Sequence, residues 1–225
     1  MEKFNENIQQ RLTARHQKCF QFSADMEGKD ILDIGSSFGW FEKMALENKC
    51  KSVTGIEPKK KDFYSAKKEV PGATFKKGSA LNLSFKKKSF DLVVMFDVIE
   101  HIPKNTEPKA IGEIKRVLRP GGKLVLSTPF DYWLSKIMDP AWWLIGHRHY
   151  KEMELAQMLM KSGFKIESIE KRGRIFELVS AMLMYFFKWV FRREIPFKDW
   201  FESKKNSEYL TDREGFETLY IKAVK

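Results

Sequence analysis

The chain has 225 residues, of which 43% are hydrophobic, so its size and composition are those of one globular domain with a substantial core. Its 41 basic and 30 acidic residues give a formal net charge of +11, which indicates a lysine-rich solvated surface or an acidic partner, either a membrane surface or RNA. Two cysteines, Cys19 and Cys50, exclude a disulfide framework and show no metal-ligand spacing, and the polar N-terminus lacks the apolar core of a signal peptide, so we expect a cytoplasmic protein.

Helices and strands alternate along the first 130 residues. Apolar side chains at helical spacing predict an amphipathic helix over residues 4–23. Strands are predicted at residues 31–34, 52–57, 73–77, 90–96 and 123–127. Helices are predicted between them at residues 38–48, 59–69 and 106–118, the last of which stops before Pro120-Gly121-Gly122. Such alternation predicts a parallel sheet with helices on both faces.

The regular alternation loosens after Pro129. Residues 130–150 are rich in aromatic side chains, and a helix over 151–162, a strand over 164–171 and a last strand over 217–225 are predicted around an insertion at 174–212. Within that insertion residues 175–193 are apolar nearly all round and end in two arginines. The apolar part is shorter than the ~20 residues that a spanning helix needs. A buried lid, a dimer contact and an interfacial helix on an anionic membrane surface all remain open for it.

The turn after the first strand is the most informative feature. The strand ends in Asp33, a turn bracketed by Gly35 and Gly39 follows, and a helix begins near Phe38. This unit binds nucleotide-like ligands at the carboxyl edge of a parallel sheet. Asp33 would repel a pyrophosphate, and Ser37 stands where a dinucleotide fingerprint has its second glycine. S-adenosylmethionine fits better, because it has an ammonium, a sulfonium and a ribose but no phosphate.

A second acid supports this interpretation. Glu57 ends strand two, 24 positions after Asp33, where a carboxylate can accept hydrogen bonds from both ribose hydroxyls. The two glycines let the backbone approach the ligand without a Cβ atom in the way. The free N–H groups at the start of the following helix would meet the methionine carboxylate.

Four segments, in this order and spacing, resemble the class I S-adenosylmethionine-dependent methyltransferases of the small-molecule type, similar to the ubiquinone-biosynthesis enzymes: residues 32–39, 53–58, 89–102 and 113–122. The resemblance covers about residues 30–171 and resumes at the final strand. It implies one domain over residues 1–225 with a Rossmann-like three-layer sandwich. Its sheet would be mostly parallel and seven-stranded, with an antiparallel final strand. The product would be S-adenosylhomocysteine.

The same resemblance implies a set of cofactor-binding residues, which follow the carboxyl ends of the first four strands. They are Asp33, Gly35, Ser37, Gly39, Glu57, Pro58, Ser79, Ala80, Leu81, Asp97 and Val98. Ser79 stands where the family often has an acid that touches the adenine amino group. Leu81 and Val98 are candidates to enclose the adenine ring, and Asp97 is expected beside the methionine.

Methyl transfer from a sulfonium is an in-line displacement, so positioning supplies most of the acceleration. A general base helps only if the acceptor loses a proton, and His101, His147 and His149 are the catalytic candidates. The spacing of Asp97, Glu100 and His101 would put them on one side of a helical turn. A similar run is linked to a divalent metal in some quinone-biosynthesis enzymes. Local hydrogen bonding, proton transfer and metal binding remain open for it, although we predict no metal site.

The two apolar insertions, 130–150 and 174–212, predict a small, apolar or lipid-like acceptor for the methyl group. An RNA or protein methyltransferase is one alternative, and a cofactor-binding regulatory subunit without catalysis is another. Nucleic acid is disfavoured, because the lysines do not interleave with aromatic side chains as they do in a nucleic-acid groove. We expect a monomer or homodimer that can lie peripherally on a membrane through residues 175–193.

Overall fold

The structure is a computed structural model that describes residues 12–23, 25–138 and 146–225. A seven-stranded sheet in the order β3-β2-β1-β4-β5-β7-β6 lies at its centre. The strands are β1 (Asp30–Ile34), β2 (Ser52–Ile56), β3 (Thr74–Lys76), β4 (Phe90–Phe96), β5 (Leu118–Pro129), β6 (Lys165–Arg172) and β7 (Thr218–Val224). Strands β1 to β5 pair in parallel, and β7 runs antiparallel to both β5 and β6. The predicted sheet, with its antiparallel final strand, is confirmed.

Helices cover both faces of this sheet. They are α1 (Ala14–Ser23), α2 (Trp40–Glu47), α3 (Lys60–Glu69), α4 (Glu107–Val117), α5 (Trp133–Met138), α6 (Glu152–Lys161), α7 (Ile175–Phe186) and α8 (Lys198–Leu210). A short 3-10 turn spans Ile99–His101, and a π-helical turn spans Phe187–Phe191. Part of the predicted helix over residues 4–23, residues 4–11, lies outside the described residues.

Strand β4 shows why the sheet is buried on both sides. Its burial pattern is nearly continuous, and its side chains alternate between two hydrophobic clusters. Val93 joins Ile114 of α4 and Leu159 of α6 in one cluster, whereas Val94 joins Phe41 of α2 in the other. Since successive side chains of a strand point to opposite faces, the two clusters are the two layers between sheet and helices. The three-layer prediction is confirmed.

The Pro-Gly-Gly segment differs from its prediction. Helix α4 ends at Val117, and β5 begins at the next residue, so the segment lies inside a strand rather than in a loop. The pairing of β4 with β5 shifts register between Phe90 and Leu92. The side chain of Arg119 joins this irregular stretch to the amino-terminal ends of β1 and β4, because its guanidinium lies 3.0 Å from Asp30 and 2.6 Å from Asp91.

The insertion over residues 174–212 folds as a helical hairpin of α7 and α8. Helix α5, from the aromatic segment, contacts α7. Within the described residues no helix is both long enough and apolar enough to cross a bilayer.

Candidate active site

A cavity of about 430 Å³ opens at the carboxyl ends of β1, β2 and β4. Parallel strands bring these ends to one edge of the sheet, so residues distant in sequence meet there. The residues predicted from sequence that line it are Gly35, Ser37, Glu57, Pro58, Asp97, Val98 and His101. Aromatic side chains of Phe38, Trp40 and Phe96 form much of the remaining wall.

Glu57 is held in place by backbone donors. One carboxylate oxygen accepts a hydrogen bond from the N–H of Ser37 at 3.0 Å, and the other accepts from the N–H of Lys59 at 2.8 Å. Ser37, which donates one of these hydrogen bonds, has a φ of 47°, in the left-handed region. Each carboxylate oxygen has a second lone pair, so Glu57 can still accept two hydroxyl groups from a ligand.

The two glycines of the turn have different tasks. A Cβ atom on Gly35, whose φ is 88°, would lie 2.3 Å from the Cγ2 atom of Val98. Glycine is therefore required where the turn crosses the floor of the cavity. A Cβ atom on Gly39 would instead lie 3.3 Å from Ala66, in α3, and 3.1 Å from Val70, the residue that follows α3. Gly39 makes room for helix packing, and the cavity wall as described does not include it.

A second, smaller cavity of about 150 Å³ adjoins the first. Ser79, Ala80 and Leu81 line it, as do Ile34, Ile56, Gly78, Ile102 and Pro103. Gly35, Pro58, Val98 and His101 line both cavities, so the two form one continuous cleft. The walls of the smaller cavity are mostly apolar, which suits the faces of a planar ring.

Asp97 has a partner that sequence analysis missed. Its Oδ1 atom accepts hydrogen bonds from Nη2 of Arg15 at 2.7 Å and from the hydroxyl of Ser127 at 2.9 Å. Arg15 belongs to α1, and its buried Nε has no hydrogen-bond partner among the described residues. A guanidinium beside a carboxylate complements the carboxylate and ammonium of an amino acid. No local motif signals Arg15, because 82 positions separate it from Asp97.

Asp33 is placed differently from its prediction. Its side chain is only 2% exposed and lies behind the turn, against the fully buried Glu42 of α2, rather than on the described cavity walls. Burial raises the pKa of both carboxyls. The charge of Glu57 raises the pKa of Asp33 further, although the hydrogen bond of Asp33 with Glu42 acts in the opposite direction, and repulsion by Asp33 adds to the rise in the pKa of Glu42. Glu42 also explains Gly55, since a Cβ atom there would lie 2.1 Å from its Oε1 atom. The contact of Asp33 with Glu42 therefore joins β1 to α2 inside the protein.

The three candidate histidines do not share one cavity. His101 lines both parts of the cleft, and burial and the nearby His147 lower the pKa of its imidazole, so it is neutral near pH 7. His147 and His149 line a separate surface cavity of about 470 Å³. The Nδ1 atom of His149 lies 3.2 Å from the carbonyl oxygen of Phe130. His16 also reaches the cleft, but its Nδ1 accepts a hydrogen bond from the N–H of Thr13.

The helical turn predicted to hold Asp97, Glu100 and His101 is a 3-10 turn over Ile99–His101, so Asp97 lies outside it. Asp97 has a φ of 53° and faces the cleft, whereas the side chain of Glu100 turns inward and is fully buried. Burial raises the pKa of Glu100 to about 8. Glu100 accepts a hydrogen bond from Thr128 at 3.1 Å.

Glu100, His101 and His147 together form a possible ligand set. Their ligand atoms all lie within 4.8 Å of one another. One carboxylate and two imidazoles are donors that suit a divalent transition metal. The absence of a metal stays a prediction.

Comparison with known proteins agrees with this architecture. Residues 4–169 match a family model described as a methyltransferase domain. A curated protein of Mycolicibacterium smegmatis, described as "Probable S-adenosylmethionine-dependent methyltransferase", is 28% identical over 154 residues. That match covers 68% of this chain and 59% of the relative. The chain spans less than two thirds of the length of this relative and of an uncharacterized methyltransferase of Mycobacterium, which is 32% identical over 109 residues.

Solved structures share the fold. An S-adenosylmethionine-dependent methyltransferase from Mesorhizobium loti superposes with a TM-score of 0.68 at 19% identity, covering 95% of this chain and 98% of that one. The [4+2]-cyclase SpnF superposes with a TM-score of 0.69 at 18% identity, covering 100% of this chain and 84% of that one. At such identities the likeness concerns the fold, and the reaction has to be argued from the site.

Proposed function

The chain belongs to the class I S-adenosylmethionine-dependent methyltransferases, and we propose that it transfers the methyl group of this cofactor to a small, apolar or lipid-like acceptor. One observation carries the proposal, which is that three features lie together in one cleft. Glu57 can accept hydrogen bonds from a diol, Asp97 and Arg15 form an ion pair, and a small apolar cavity adjoins them. The cofactor has the complementary groups: a ribose diol, an amino-acid end and an adenine ring.

Each part of the cofactor has a proposed partner. Glu57 accepts hydrogen bonds from the ribose hydroxyls with the lone pairs that its backbone donors leave free. The cavity of Ser79, Ala80 and Leu81 takes the adenine. Asp97 binds the ammonium and Arg15 the carboxylate, which replaces their mutual ion pair by two. S-adenosylhomocysteine, the product, would use the same contacts.

The proposed methyl transfer requires that the acceptor be aligned with the methyl group and that water be excluded from the cleft. The sulfonium is already an activated donor, so the chain has to align acceptor, methyl carbon and sulfur. The aromatic wall of Phe38, Trp40 and Phe96 excludes water and favours an apolar acceptor. If the acceptor loses a proton, neutral His101 is the base, because it lines the cleft and His149 does not.

Cofactor binding is the first test, by calorimetric titration of the full chain with S-adenosylmethionine and S-adenosylhomocysteine. Glu57→Gln should weaken both at least about tenfold, because an amide cannot accept four hydrogen bonds and its NH₂ would face backbone donors. The exposed Glu69, on α3, supplies the charge-matched control Glu69→Gln, which should bind like the wild type. Equal affinity of the Glu57→Gln variant would contradict the proposed ribose contact.

Methyl transfer is the second test, with labelled cofactor against lipid extract, small-molecule pools, tRNA and protein. Label in an apolar small molecule or lipid is the expected result. For a hydroxyl acceptor, His101→Ala should lower turnover about 100-fold and leave cofactor affinity nearly unchanged, while His149→Ala should have a smaller effect. Label in tRNA or protein would favour those alternatives, and binding without any transfer would indicate a regulatory subunit.

A further inference from the structure

The hairpin of α7 and α8 ends in an apolar tip, which comprises the π-helical turn Phe187–Phe191 and residues 192–200. Six large apolar side chains at or beside this tip are at least half exposed: Phe186, Trp189, Val190, Phe191, Phe197 and Trp200. Phe197 is 81% exposed and, with a φ of 56°, adopts a backbone conformation that is unfavourable for a bulky residue. A cluster of this size and exposure marks an interaction surface.

The tip also carries positive charge that the protein does not neutralise. Lys188, Arg192 and Arg193 have no ion-pair partner among the residues that the structure describes. Among the acids in and beside the tip, Glu194 pairs with Lys198 and Glu202 with Lys205. The exposed Asp199 has no ion-pair partner among the described residues, so one unpaired acid stands against three unpaired cations. The uncompensated charge at the tip is therefore positive, and it lies beside the exposed aromatic side chains.

A cavity of about 460 Å³ opens among the charged side chains of the tip. The three unpaired cations line it, and so do the paired acids Glu194 and Glu202. The other lining residues are Lys198, Ser180, Met184 and Ile195. Cations and apolar side chains in one cavity suit an anionic group that has an apolar continuation. A second copy of this chain would bring the same cations to the surface, so like charges would oppose self-association through the tip.

We propose that the hairpin tip docks on an anionic membrane surface, where the cavity receives a lipid phosphate between Lys188, Arg192 and Arg193 while the aromatic side chains lie at the interface. Aromatic rings favour the level of the headgroups, and lysine and arginine are attracted to anionic lipids. The proposal rests on the proposed function in one respect, since docking gives a lipid-like acceptor a route to the enzyme.

The base of the hairpin connects this surface to the cofactor cleft. The side-chain oxygen of Asn206, on α8, accepts a hydrogen bond from the N–H of Ala14 at 3.0 Å and so caps α1. The next residue, Arg15, forms the ion pair with Asp97 in the cleft. Helix α7 has 12 residues and the π-helical turn 5, so the tip projects about 25 Å from the base. Docking would therefore hold the cleft at a defined height above the lipid.

Vesicle flotation of the full chain tests the proposal, with phosphatidylcholine vesicles that contain or lack phosphatidylglycerol. The wild type should float with anionic vesicles and remain unbound with neutral ones. The double variant Arg192→Glu/Arg193→Glu should lower the partition coefficient at least tenfold, as should Trp189→Ala/Phe191→Ala. Lys67→Glu/Lys68→Glu makes the same charge change on the exposed face of α3 and should stay within about twofold of the wild type.

Other outcomes would overturn the proposal. These are equal binding to neutral vesicles, an equal loss in the α3 control, or tip variants that change self-association or tRNA binding but not flotation. Thermal unfolding of each variant within about 3 °C of the wild type excludes misfolding. Cofactor titration of the same samples separates the two proposals. Normal cofactor binding without flotation would contradict only the docking surface, whereas flotation without cofactor binding would contradict the proposed function.

Discussion

Ser37 shows how one backbone angle organises the end of the cleft that contains Glu57. Its φ of 47° is costly for a residue with a Cβ atom, yet this conformation directs its N–H to Glu57 at 3.0 Å. The neighbouring N–H groups of Gly35 and Ser36 both donate to the carbonyl oxygen of Ile56. Three consecutive donors thus bind the end of β2 and shape the turn. Ser37 contributes its backbone N–H to this arrangement, and a glycine at this position would supply the same donor.

Ser37→Gly should consequently leave cofactor affinity within about threefold and change the free energy of unfolding by less than about 1 kcal/mol. Glycine keeps the N–H and adopts this φ without strain. Gly35→Ala is the contrasting variant, because its Cβ atom would meet Val98 at 2.3 Å, and it should cost about 2 kcal/mol or more and weaken the cofactor. Calorimetry and urea unfolding measure both quantities. Normal binding by Gly35→Ala would show that the turn is less tightly packed than described.

At the scale of elements, Glu208 joins the two helices of the hairpin. Its carboxylate, on α8, accepts hydrogen bonds from the N–H groups of Arg174 and Phe176 at 2.9 Å and of Glu177 at 3.1 Å. These groups lie at the start of α7, where a helix has no internal acceptors. A carboxylate at that end also complements the helix dipole. One side chain thereby fixes the angle at which the apolar helix leaves the sheet.

Removing this carboxylate should loosen the hairpin. Glu208→Gln should lower the free energy of unfolding by about 1–2 kcal/mol, because the charge at the helix start and part of the acceptor capacity are lost. Glu194→Gln is the matched control, since it removes only an exposed pair with Lys198 and should cost less than about 0.5 kcal/mol. Urea unfolding measures both variants. Equal costs would mean that Glu208 is not the anchor of α7.

For the whole molecule, the buried pair Asp33 and Glu42 makes global stability depend on pH. Burial raises the pKa of Asp33 to about 8, above the ~4 of an unfolded aspartate. The folded state therefore holds a proton that the unfolded state has released. Its contribution to stability is complete below about pH 4 and is lost as the pH rises toward 8.

As the pH rises from 5 to 8, the free energy of unfolding of the wild type should fall relative to that of Asp33→Asn. The amide keeps the shape of the side chain but cannot ionise, so other titrating groups largely cancel in the comparison. Urea unfolding of both proteins at the two pH values measures it. A pH-independent difference between them would show that Asp33 keeps an ordinary pKa in the folded protein.

Much of the fold and part of the site could be predicted from sequence. The apolar run of β4, Phe90–Phe96, has the predicted limits, and the turn residues bracket the strands as expected. Glu57 lies in the cleft because a residue at the end of a parallel strand has one possible edge to occupy. By contrast, the positions of Gly39, Asp33 and His149 depend on which helix packs beside them, and sequence spacing carries no such information.

By itself, the sequence determined the order of strands and helices, the edge of the sheet where the cleft lies and the family of the protein. These follow from periodicity and turn chemistry, which act over a few residues. Only the tertiary structure decided that Arg15 meets Asp97 and Glu42 meets Asp33, and that a polar hairpin base supports an apolar, basic tip. Each of these contacts joins different segments of the fold, and those of Arg15 with Asp97 and of Asn206 with Ala14 join residues far apart in the chain. Side-chain packing and charge pairing select them, and these act only once the sheet has brought the elements together.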